Sequence, residues 1–261
     1  MTLQHFIDQQ VQHKKGQLFC CFVDLKGAYD SVPRKQVWQA LAGLGFCGNM
    51  LKGIKATYNN SQVAVKVASR HGNMHKSCLG VKQGCPFSPT LFGCYMDGMF
   101  EFLQSAEGGS GPQLSSGQRV SALMYADDIV LMSTTAEGLQ GLINATAQYC
   151  RGKDMRISPA NLPSLKTAVV VFGSKPHKAA WEHTWTCATM QQCDAWKYLG
   201  LLFTATRGVA GGMLEMQRRQ NAAARLLRRR FKRLDCHYSV DVMMQLYLTK
   251  VAPTASYGCE V

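Results

Sequence analysis

Acidic residues are scarce in this sequence, and the segments typical of secreted or membrane-spanning proteins are missing. The 261 residues include 16 Asp and Glu against 29 Lys and Arg, which gives a formal net charge of +13. No secretory hydrophobic segment stands at the amino terminus, and the apolar stretch 86–103 lacks the length and uniformity of a membrane span. The charge favours a polyanionic partner. We expect an intracellular protein of the nucleus or cytoplasm that does not contact a membrane.

The cysteines lack the pattern of a disulfide framework or a standard zinc finger. There are 11, an odd number that cannot all pair within the chain, and no Cys-x2-Cys pair occurs. A reducing compartment is the simpler interpretation. A zinc site is a minor alternative, because the spacing of its candidate ligands is not that of a standard finger. Those candidates are His177, His183, Cys187 and Cys193.

Hydrophobic periodicity predicts one mixed α/β unit followed by a helical end, without an internal repeat. A loop is predicted at 108–117, where glycine and serine dominate. Predicted helices cover 3–14, 34–43, 48–59, 86–103 and 136–151, and predicted strands cover 18–24, 62–67, 78–81, 168–172 and 198–203.

Three acidic residues have the arrangement expected of a metal site. Asp24 lies near the end of a nearly continuous apolar run, whereas Asp127 and Asp128 lie at the turn between two apolar runs that predict a β-hairpin. The alternative for the pair is a solvated turn. The lone and paired acids are 127 − 24 = 103 residues apart, so only a fold that brings them together makes them a site.

Five phrases around these acids resemble the palm-domain motifs of reverse transcriptases, in the same order. They are FVDLKGAYDSVPR (22–34), GVKQGCP (80–86), YADD (125–128), LKT (165–167) and WKYLG (196–200). The sequence most resembles the reverse transcriptases of retrotransposons that lack long terminal repeats, whose palm and thumb commonly end in a phrase like YGCEV (257–261). The similarity covers nearly the whole chain.

This resemblance implies an α+β fold with two parts. Residues 1–205 would form a polymerase palm, an antiparallel sheet with packed helices, and residues 206–261 would form a mainly helical thumb. The strand that ends at Asp24 begins at residue 18, so we expect the fingers to be missing or truncated. The chain would then be a palm-plus-thumb fragment of a longer polyprotein that carries the fingers and endonuclease portions.

The resemblance also implies two Mg²⁺ ions, with Mn²⁺ as an alternative, for nucleotidyl transfer. Asp30 is not expected to be a ligand and is predicted to cap or pair locally. Lys166 resembles the lysine that protonates the departing pyrophosphate, although a segment with two prolines (158–164) precedes it where relatives have none. The implied metal ligands are Asp24, Asp127, Asp128 and the backbone carbonyl of Leu25.

Three further positions match residues that select the nucleotide in this family. Tyr29 matches an aromatic ring beneath the sugar that leaves no volume for a 2′-hydroxyl, so deoxynucleotides would be favoured; the alternative is a core aromatic. Gln83 and Gly84 match the phrase that lines the nucleotide pocket, and the alternative for them is an ordinary turn.

Two segments are predicted to bind nucleic acid. The first resembles the primer-grip hairpin, at Trp196, Tyr198, Leu199 and Gly200, with core packing as the alternative for Trp196. The second is predicted as an amphipathic helix of the thumb that contacts phosphates; a solvated charge run, a nuclear-import signal or a membrane-surface helix would look similar. Its eight cations are Arg218, Arg219, Arg225, Arg228, Arg229, Arg230, Lys232 and Arg233.

The resemblance therefore implies a fragment of an RNA-directed DNA polymerase. Its partners would be an RNA template, a DNA primer and deoxynucleoside triphosphates. A catalytically silent, retroelement-derived module that binds nucleic acid is the alternative, so the sequence leaves open whether the chain is an enzyme. The intact acids favour the polymerase, whereas the expected loss of the fingers and the segment before Lys166 favour the silent module.

Overall fold

The structure, a computed structural model, describes most of the first 209 residues and only short stretches beyond them. Within it the chain divides into two compact units. One unit comprises Cys21–Ala168 and Ala180–Gln191, and the other comprises Met1–Cys20, Val169–Ala179 and Gln192–Val261. The described residues are 2–107, 110–158, 166–173, 181–183, 188–206 and 208–209, with parts of 217–229 and 244–253.

Helices and short strands alternate along the described residues, as expected of an α+β fold. The helices are α1 (Leu3–Ile7), α2 (Ala28–Ser31), α3 (Arg34–Gly43), α4 (Gly48–Ala56), α5 (Ser88–Met96), α6 (Met99–Glu107) and α7 (Ala136–Gly152), with π-helical turns at Asp8–His13 and Tyr247–Val251. The strands are β1 (Leu18–Asp24), β2 (Gln62–Val63), β3 (Lys66–Val67), β4 (Arg70–His71), β5 (His75–Lys76), β6 (Ala122–Tyr125), β7 (Asp128–Ser133), β8 (Ala168–Phe172), β9 (Trp181–His183), β10 (Ala188–Met190), β11 (Ala195–Tyr198) and β12 (Leu201–Thr204).

The central sheet has the strand order β6-β7-β1-β8, with β6 and β7 joined as an antiparallel hairpin. Its strands form where the sequence is continuously apolar: every residue of β8 is buried, as are all of β1 before Asp24 and all of β7 after Asp128. Helix α7 packs on β7 and on α6. Thr135 caps α7 by accepting a hydrogen bond from the Gly138 N–H at 3.1 Å.

Residues 62–81 differ from the prediction of a half-buried strand that pairs with 78–81. Strand β2 pairs with β5, and β3 pairs with β4, so the chain returns at residues 70–76 instead. Every residue from Gln62 to Lys76 except Ala64 is exposed. The tighter return follows from a turn at Ala68, which adopts a φ of +52°.

The long helix predicted over 86–103 is also corrected, because the chain breaks between α5 and α6. Asp97 is extended, with a ψ of 143°, and Gly98 adopts a φ of +84° that favours glycine. The predicted helix 48–59 ends at Ala56. The predicted strand 198–203 falls in the hairpin of β11 and β12, where Tyr198 ends β11 and Leu201 begins β12.

The other unit contains the hairpin of β11 and β12 and the amino-terminal helix α1. The Val209 N–H donates to the Gln4 side chain at 2.9 Å, which ties the chain after β12 to this helix. No helix among the described residues is long and apolar enough to cross a membrane.

Candidate active site

Asp24 is the first polar residue after six buried residues of β1, so the strand carries it to the edge of the core. Its side chain is 30 % exposed. The strand stops there because the chain turns at Gly27, whose φ is +57°. This carboxylate can therefore meet both solvent and the neighbouring strand.

The hairpin of β6 and β7 presents the paired acids at its tip. Tyr125 and Asp128 are opposite partners, so the turn consists of Ala126 and Asp127, and Ala126 adopts a φ of +53°. Asp127 is half-buried and Asp128 is exposed. The predicted hairpin is confirmed, with Asp127 in its turn and Asp128 as the first residue of β7.

The charges of the three acids interact in the fold. Although Asp128 is exposed as a residue, partial desolvation of its carboxyl group raises the pKa of that group, and the negative charges of Asp127 and Asp24 raise it further. The structure therefore brings Asp24 into the electrostatic neighbourhood of the hairpin tip. A cation placed among the three groups would relieve this repulsion.

Asp24 has two close side-chain partners, one on each side of the segment 159–165. The Ser158 hydroxyl donates to Oδ2 of Asp24 at 2.5 Å, and Nζ of Lys166 lies 3.6 Å from the same oxygen. Lys166 is 58 % exposed, so solvent screens this ion pair. The residues 159–165 lie outside the described part, yet Lys166 does reach the candidate site.

The carbonyl of Leu25 lies beside Asp24 in an isolated bridge with Ile157. The flanking hydrogen bonds run from the Lys26 N–H to Arg156 at 2.7 Å and from the Ser158 N–H to Asp24 at 2.7 Å. In this pattern the facing residues do not bond to each other. The bridge therefore leaves the Leu25 carbonyl outside the ladder.

Tyr29, on α2, lies between the core and the acids. Its ring stacks on buried Phe92 with centroids 5.1 Å apart and an interplanar angle of 15°. Burial raises its pKa, and so do Asp127 and Tyr125. Tyr29, Tyr125 and Ala126 line one cleft of about 650 Å³ with residues of α5 and α6. Tyr29 is thus half-buried against Phe92 and lies near Asp127, and its role in nucleotide selection stays a prediction.

The side chain of Gln83, which lies in a turn, is hydrogen-bonded to Asp30. Its amide donates to both carboxylate oxygens of Asp30 at 3.0 Å. This corrects the prediction that Asp30 caps or pairs locally, because its partner is 53 residues away.

Gly80 adopts a φ of +78°, and a Cβ there would come within 2.8 Å of the carbonyl oxygens of Tyr29 and Asp30.

Gly84 has space around it. It adopts a φ of +79°, and no heavy atom lies within 4 Å of the position that a Cβ would take. The open space fits the predicted close approach of a ligand to the backbone.

The predicted primer-grip residues form a hairpin in the other unit. Leu199 and Gly200 make its turn, with φ values of +46° and +81°. Tyr198 is buried and packs at 6.4 Å from Phe203, whereas Trp196 is half-buried. The hairpin is confirmed, and its contact with nucleic acid stays a prediction.

The cationic run 218–233 is described only in part. Arg218, Arg225 and Arg229 are helical and exposed, which agrees with the predicted helix at these positions. The other five cations lie outside the described residues: Arg219, Arg228, Arg230, Lys232 and Arg233. His177, Cys187 and the side chain of His183 lie outside them too, so the zinc alternative is untested.

Residues 1–203 match the family described as reverse transcriptase (RNA-dependent DNA polymerase). The chain belongs to this family. It is 29 % identical over 203 residues to a retrovirus-related Pol polyprotein from a type-1 retrotransposable element R2 of Nasonia vitripennis, and 26 % identical over 216 residues to one from Popillia japonica. These matches cover 76 % and 80 % of the chain but 19 % and 34 % of the relatives. The prediction of a reverse transcriptase of the non-LTR type is confirmed.

Two solved telomerase structures have a similar fold. Apo telomerase from Candida tropicalis, truncated from its C-terminal domain, gives a TM-score of 0.51 at 13 % identity over 78 % of this chain and 37 % of that one. Telomerase from Candida albicans, in complex with a fragment of telomeric RNA, gives 0.50 at 14 % identity over 79 % and 32 %. At this identity the similarity supports the α+β, polymerase-like fold alone.

The divalent metals that reverse transcriptases generally use fit the donors of this site in kind. Carboxylate and carbonyl oxygens are the ligands that hard cations prefer. The negative charges of Asp127 and Asp24 contribute to the raised pKa of Asp128. Among the described residues, however, no group of three or more His, Cys, Asp or Glu side chains is close enough to hold a metal ion as they stand.

Sequence reasoning missed Ser158 and Thr167 as partners of Asp24. The Thr167 hydroxyl accepts from the Asp24 N–H at 3.3 Å and donates to the Ser158 carbonyl at 3.0 Å. Thr167 belonged to the matched LKT phrase, so that phrase could have suggested it. Ser158 gave no such signal, because it opens the segment that departs from the family pattern.

Proposed function

We propose that this chain is the palm and thumb portion of an RNA-directed DNA polymerase that adds deoxynucleotides to a primer 3′-hydroxyl. One observation carries the proposal: β1, which ends at Asp24, and β7, which begins at Asp128, are neighbouring strands of one sheet, beside the cleft that Tyr29 lines with Tyr125 and Ala126. Phosphoryl transfer with divalent metals needs carboxylates that hold the metal ions at the edge of a cleft for the substrate. The palm would cover 1–205 and the thumb 206–261.

Asp24, Asp127, Asp128 and the carbonyl of Leu25 would hold two Mg²⁺ ions, or Mn²⁺. Bound there, the ions would activate the primer hydroxyl and neutralise the leaving pyrophosphate. The chain's own contribution is orientation. Ser158 and Thr167 fix Asp24 by hydrogen bonds to its side chain and backbone, so less reorganisation is needed when a ligand binds.

Lys166 supplies the mobile cation of the proposed site. It lies 3.6 Å from Asp24 and is largely exposed, so it can turn towards a negatively charged leaving group. A protonated lysine can give its proton to pyrophosphate as the bond breaks. We assign it the role of general acid.

Tyr29, Gln83 and Gly84 would form the nucleotide pocket. The stack on Phe92 keeps the Tyr29 ring in one place, which is what exclusion of a 2′-hydroxyl requires. Asp30 fixes the Gln83 amide, and the open side of Gly84 allows close approach. These three residues would favour deoxynucleoside triphosphates.

The template and primer would lie along the hairpin of β11 and β12 and along the cationic run. Trp196, Tyr198, Leu199 and Gly200 would position the primer end. The exposed positions of Arg218, Arg225 and Arg229 suit contact with phosphates. RNA template and DNA primer are therefore the proposed partners.

A catalytically silent nucleic-acid-binding module is the second candidate. The observation that favours it is that Oδ2 of Asp24 already has the Ser158 hydroxyl and the Lys166 ammonium as partners. In such a module this arrangement would be the permanent state. In a polymerase, Lys166 would leave Asp24 when the metal binds.

Primer extension on an RNA template separates the two candidates. Joined to an upstream fingers segment, the chain should extend a DNA primer with deoxynucleotides in the presence of Mg²⁺, whereas the isolated 261-residue chain should bind template–primer but extend it poorly or not at all. Asp127→Asn should abolish extension by the joined chain because it removes a ligand charge at unchanged size. Asp154→Asn, an exposed acid outside the site, is the matched control and should extend normally. Template–primer binding without extension by the chain joined to a fingers segment, in Mg²⁺ and in Mn²⁺, would support the silent module.

A further inference from the structure

The longest acid-free part of the sequence runs from Ser31 to Met96 and carries an excess of positive charge. No Asp or Glu occurs from Ser31 to Met96, whereas eight Lys and Arg do. This stretch therefore carries +8 of the formal net charge of +13. Its cations are Arg34, Lys35, Lys52, Lys55, Lys66, Arg70, Lys76 and Lys82.

Two of these cations hold the stretch together. Arg34 donates to the carbonyls of Ser77 at 2.6 Å and Gly80 at 2.8 Å, so it fastens the chain after β5 to α3. Lys82 donates to the Thr57 carbonyl at 2.6 Å and lies over the Tyr58 ring at 5.3 Å. The base of the segment Gln62–Lys76, the cationic hairpin, is thereby fixed.

Three other cations project from the cationic hairpin itself. Lys66, Arg70 and Lys76 are exposed, and the one ion pair between described residues is that of Lys166 with Asp24. Lys66 faces His71 and Lys76 faces Gln62 across the strands. Opposite residues share a face, so in each ladder this polar pair lies on the face away from the valine, Val67 or Val63. Arg70 lies opposite Val67 and therefore on the other face of its ladder.

A polar cleft of about 400 Å³ lies where the cationic hairpin joins α4. Its lining includes Arg34, Asn59, Asn60, Ser61, Lys76 and Ser77. Amides, hydroxyls and ammonium groups are hydrogen-bond donors, and no carboxylate lines the cleft. Such a lining suits a phosphate group.

We propose that the cationic hairpin and this cleft bind the phosphodiester backbone of a nucleic-acid strand. This inference rests on the proposed function, since it adds a contact to the same polymerase. The chain runs from Lys76 to Gln83 in seven residues, 83 − 76 = 7, and Gln83 is bonded to Asp30 beside Tyr29. The cationic hairpin is therefore connected through the protein chain to the turn that carries Gln83 and Gly84, two residues of the proposed nucleotide pocket. An acidic protein or an anionic membrane would meet the same charges but would gain nothing from that connection.

The test is the salt dependence of binding, measured by fluorescence anisotropy with the 261-residue chain. The probes are a single-stranded RNA and an RNA–DNA duplex. The variant carries Lys66→Gln, Arg70→Gln and Lys76→Gln, and its matched control carries Lys14→Gln, Lys15→Gln and Arg151→Gln, three exposed cations elsewhere. Lys66→Arg with Lys76→Arg keeps the charge. Thermal unfolding checks that each variant folds.

The hairpin variant should bind at least about tenfold more weakly than the wild type at moderate salt, for all sequences alike. The slope of log Kobs against log salt should fall by about two to three, because each phosphate contact contributes about 0.7 to 0.9. The matched control and the arginine variant should bind like the wild type. The probe that loses more affinity shows whether a single strand or a duplex lies on the hairpin.

Equal affinity and slope for the hairpin variant and the wild type would overturn the inference while leaving the polymerase proposal intact. The same holds if the matched control loses as much affinity, or if the wild type binds vesicles with anionic headgroups or a polyglutamate peptide more tightly than both nucleic acids. Loss of binding only in the hairpin variant, with no primer extension by the chain joined to a fingers segment, would support the hairpin and contradict the polymerase.

Discussion

The Ser158 hydroxyl donates to Oδ2 of Asp24 at 2.5 Å, the shortest contact that the candidate ligand makes. The backbones of the two residues are joined as well, because the Ser158 N–H donates to the Asp24 carbonyl at 2.7 Å. Thr167 completes the arrangement by accepting from the Asp24 N–H and donating to the Ser158 carbonyl. Asp24 is thus oriented by two residues that flank the segment 159–165.

Ser158→Ala should release the Asp24 carboxylate without removing it. A hydrogen bond to a charged group contributes about 1.5–3 kcal/mol, so we expect a loss of about 1–2 kcal/mol in the free energy of unfolding at this partly exposed acid, measured in urea. A less oriented ligand should also raise the Mg²⁺ concentration needed for half-maximal primer extension. Ser31→Ala, whose hydroxyl bonds only to the Ala28 carbonyl, is the control. An unchanged Mg²⁺ requirement would show that Ser158 does not position Asp24.

The elements that could be predicted from sequence each have a signal of their own. Strands β1 and β8 are continuous apolar runs, and α7 begins at a capping threonine. The cationic hairpin has no such signal. Alternation over Gln62–Val67 predicted a buried face, but no described element covers either side, and the left-handed turn at Ala68 sets where the chain returns.

The candidate site was predictable in its acids and less so in what holds them. Resemblance to a family identified Asp24, Asp127 and Asp128 because their motifs are short and local. The bonds from Ser158 to Asp24 and from Gln83 to Asp30 join residues 134 and 53 positions apart. Such pairs depend on how β1 and α2 pack against later segments, which no local pattern specifies.

Gly80→Ala should destabilise the fold far more than Gly84→Ala. Both glycines have positive φ, +78° and +79°, so both substitutions carry the same backbone strain of about 1 kcal/mol. A Cβ on Gly80 would also come within 2.8 Å of two carbonyl oxygens, whereas a Cβ on Gly84 meets nothing within 4 Å. We expect a loss of about 2–4 kcal/mol for Gly80→Ala. Equal urea midpoints for the two variants would contradict the close approach of Gly80 to α2.

Tyr29→Ala should weaken discrimination against ribonucleotides if the proposed function is correct. Removing the ring that stacks on Phe92 opens volume beside the acids, and we expect the ratio of kcat/KM for deoxynucleotides over ribonucleotides to fall about tenfold or more. Tyr29→Phe keeps the ring and should keep the ratio. If Tyr29→Phe loses discrimination as strongly as Tyr29→Ala, the hydroxyl rather than the ring is responsible.

Cys85, the residue after Gly84, should react with alkylating reagents faster than other accessible thiols of the chain. A hydrogen bond from the Phe87 backbone lowers its pKa, burial opposes this, and Ser88 and the Lys82 charge lower the pKa further. A thiol with a lowered pKa is ionised to a larger extent near neutral pH, so Cys85 should be alkylated faster than Cys47 and Cys78, which are exposed. At pH 7.5 we expect the alkylation rate of Cys85 to be a few times to about tenfold higher, measured by iodoacetamide labelling and peptide mapping.

Two variants serve as controls: Lys82→Gln should reduce the difference in rate, and Cys85→Ser should remove the fast-reacting peptide. Equal rates for Cys85 and Cys47 would mean that the turn at Gly84 does not stabilise the thiolate.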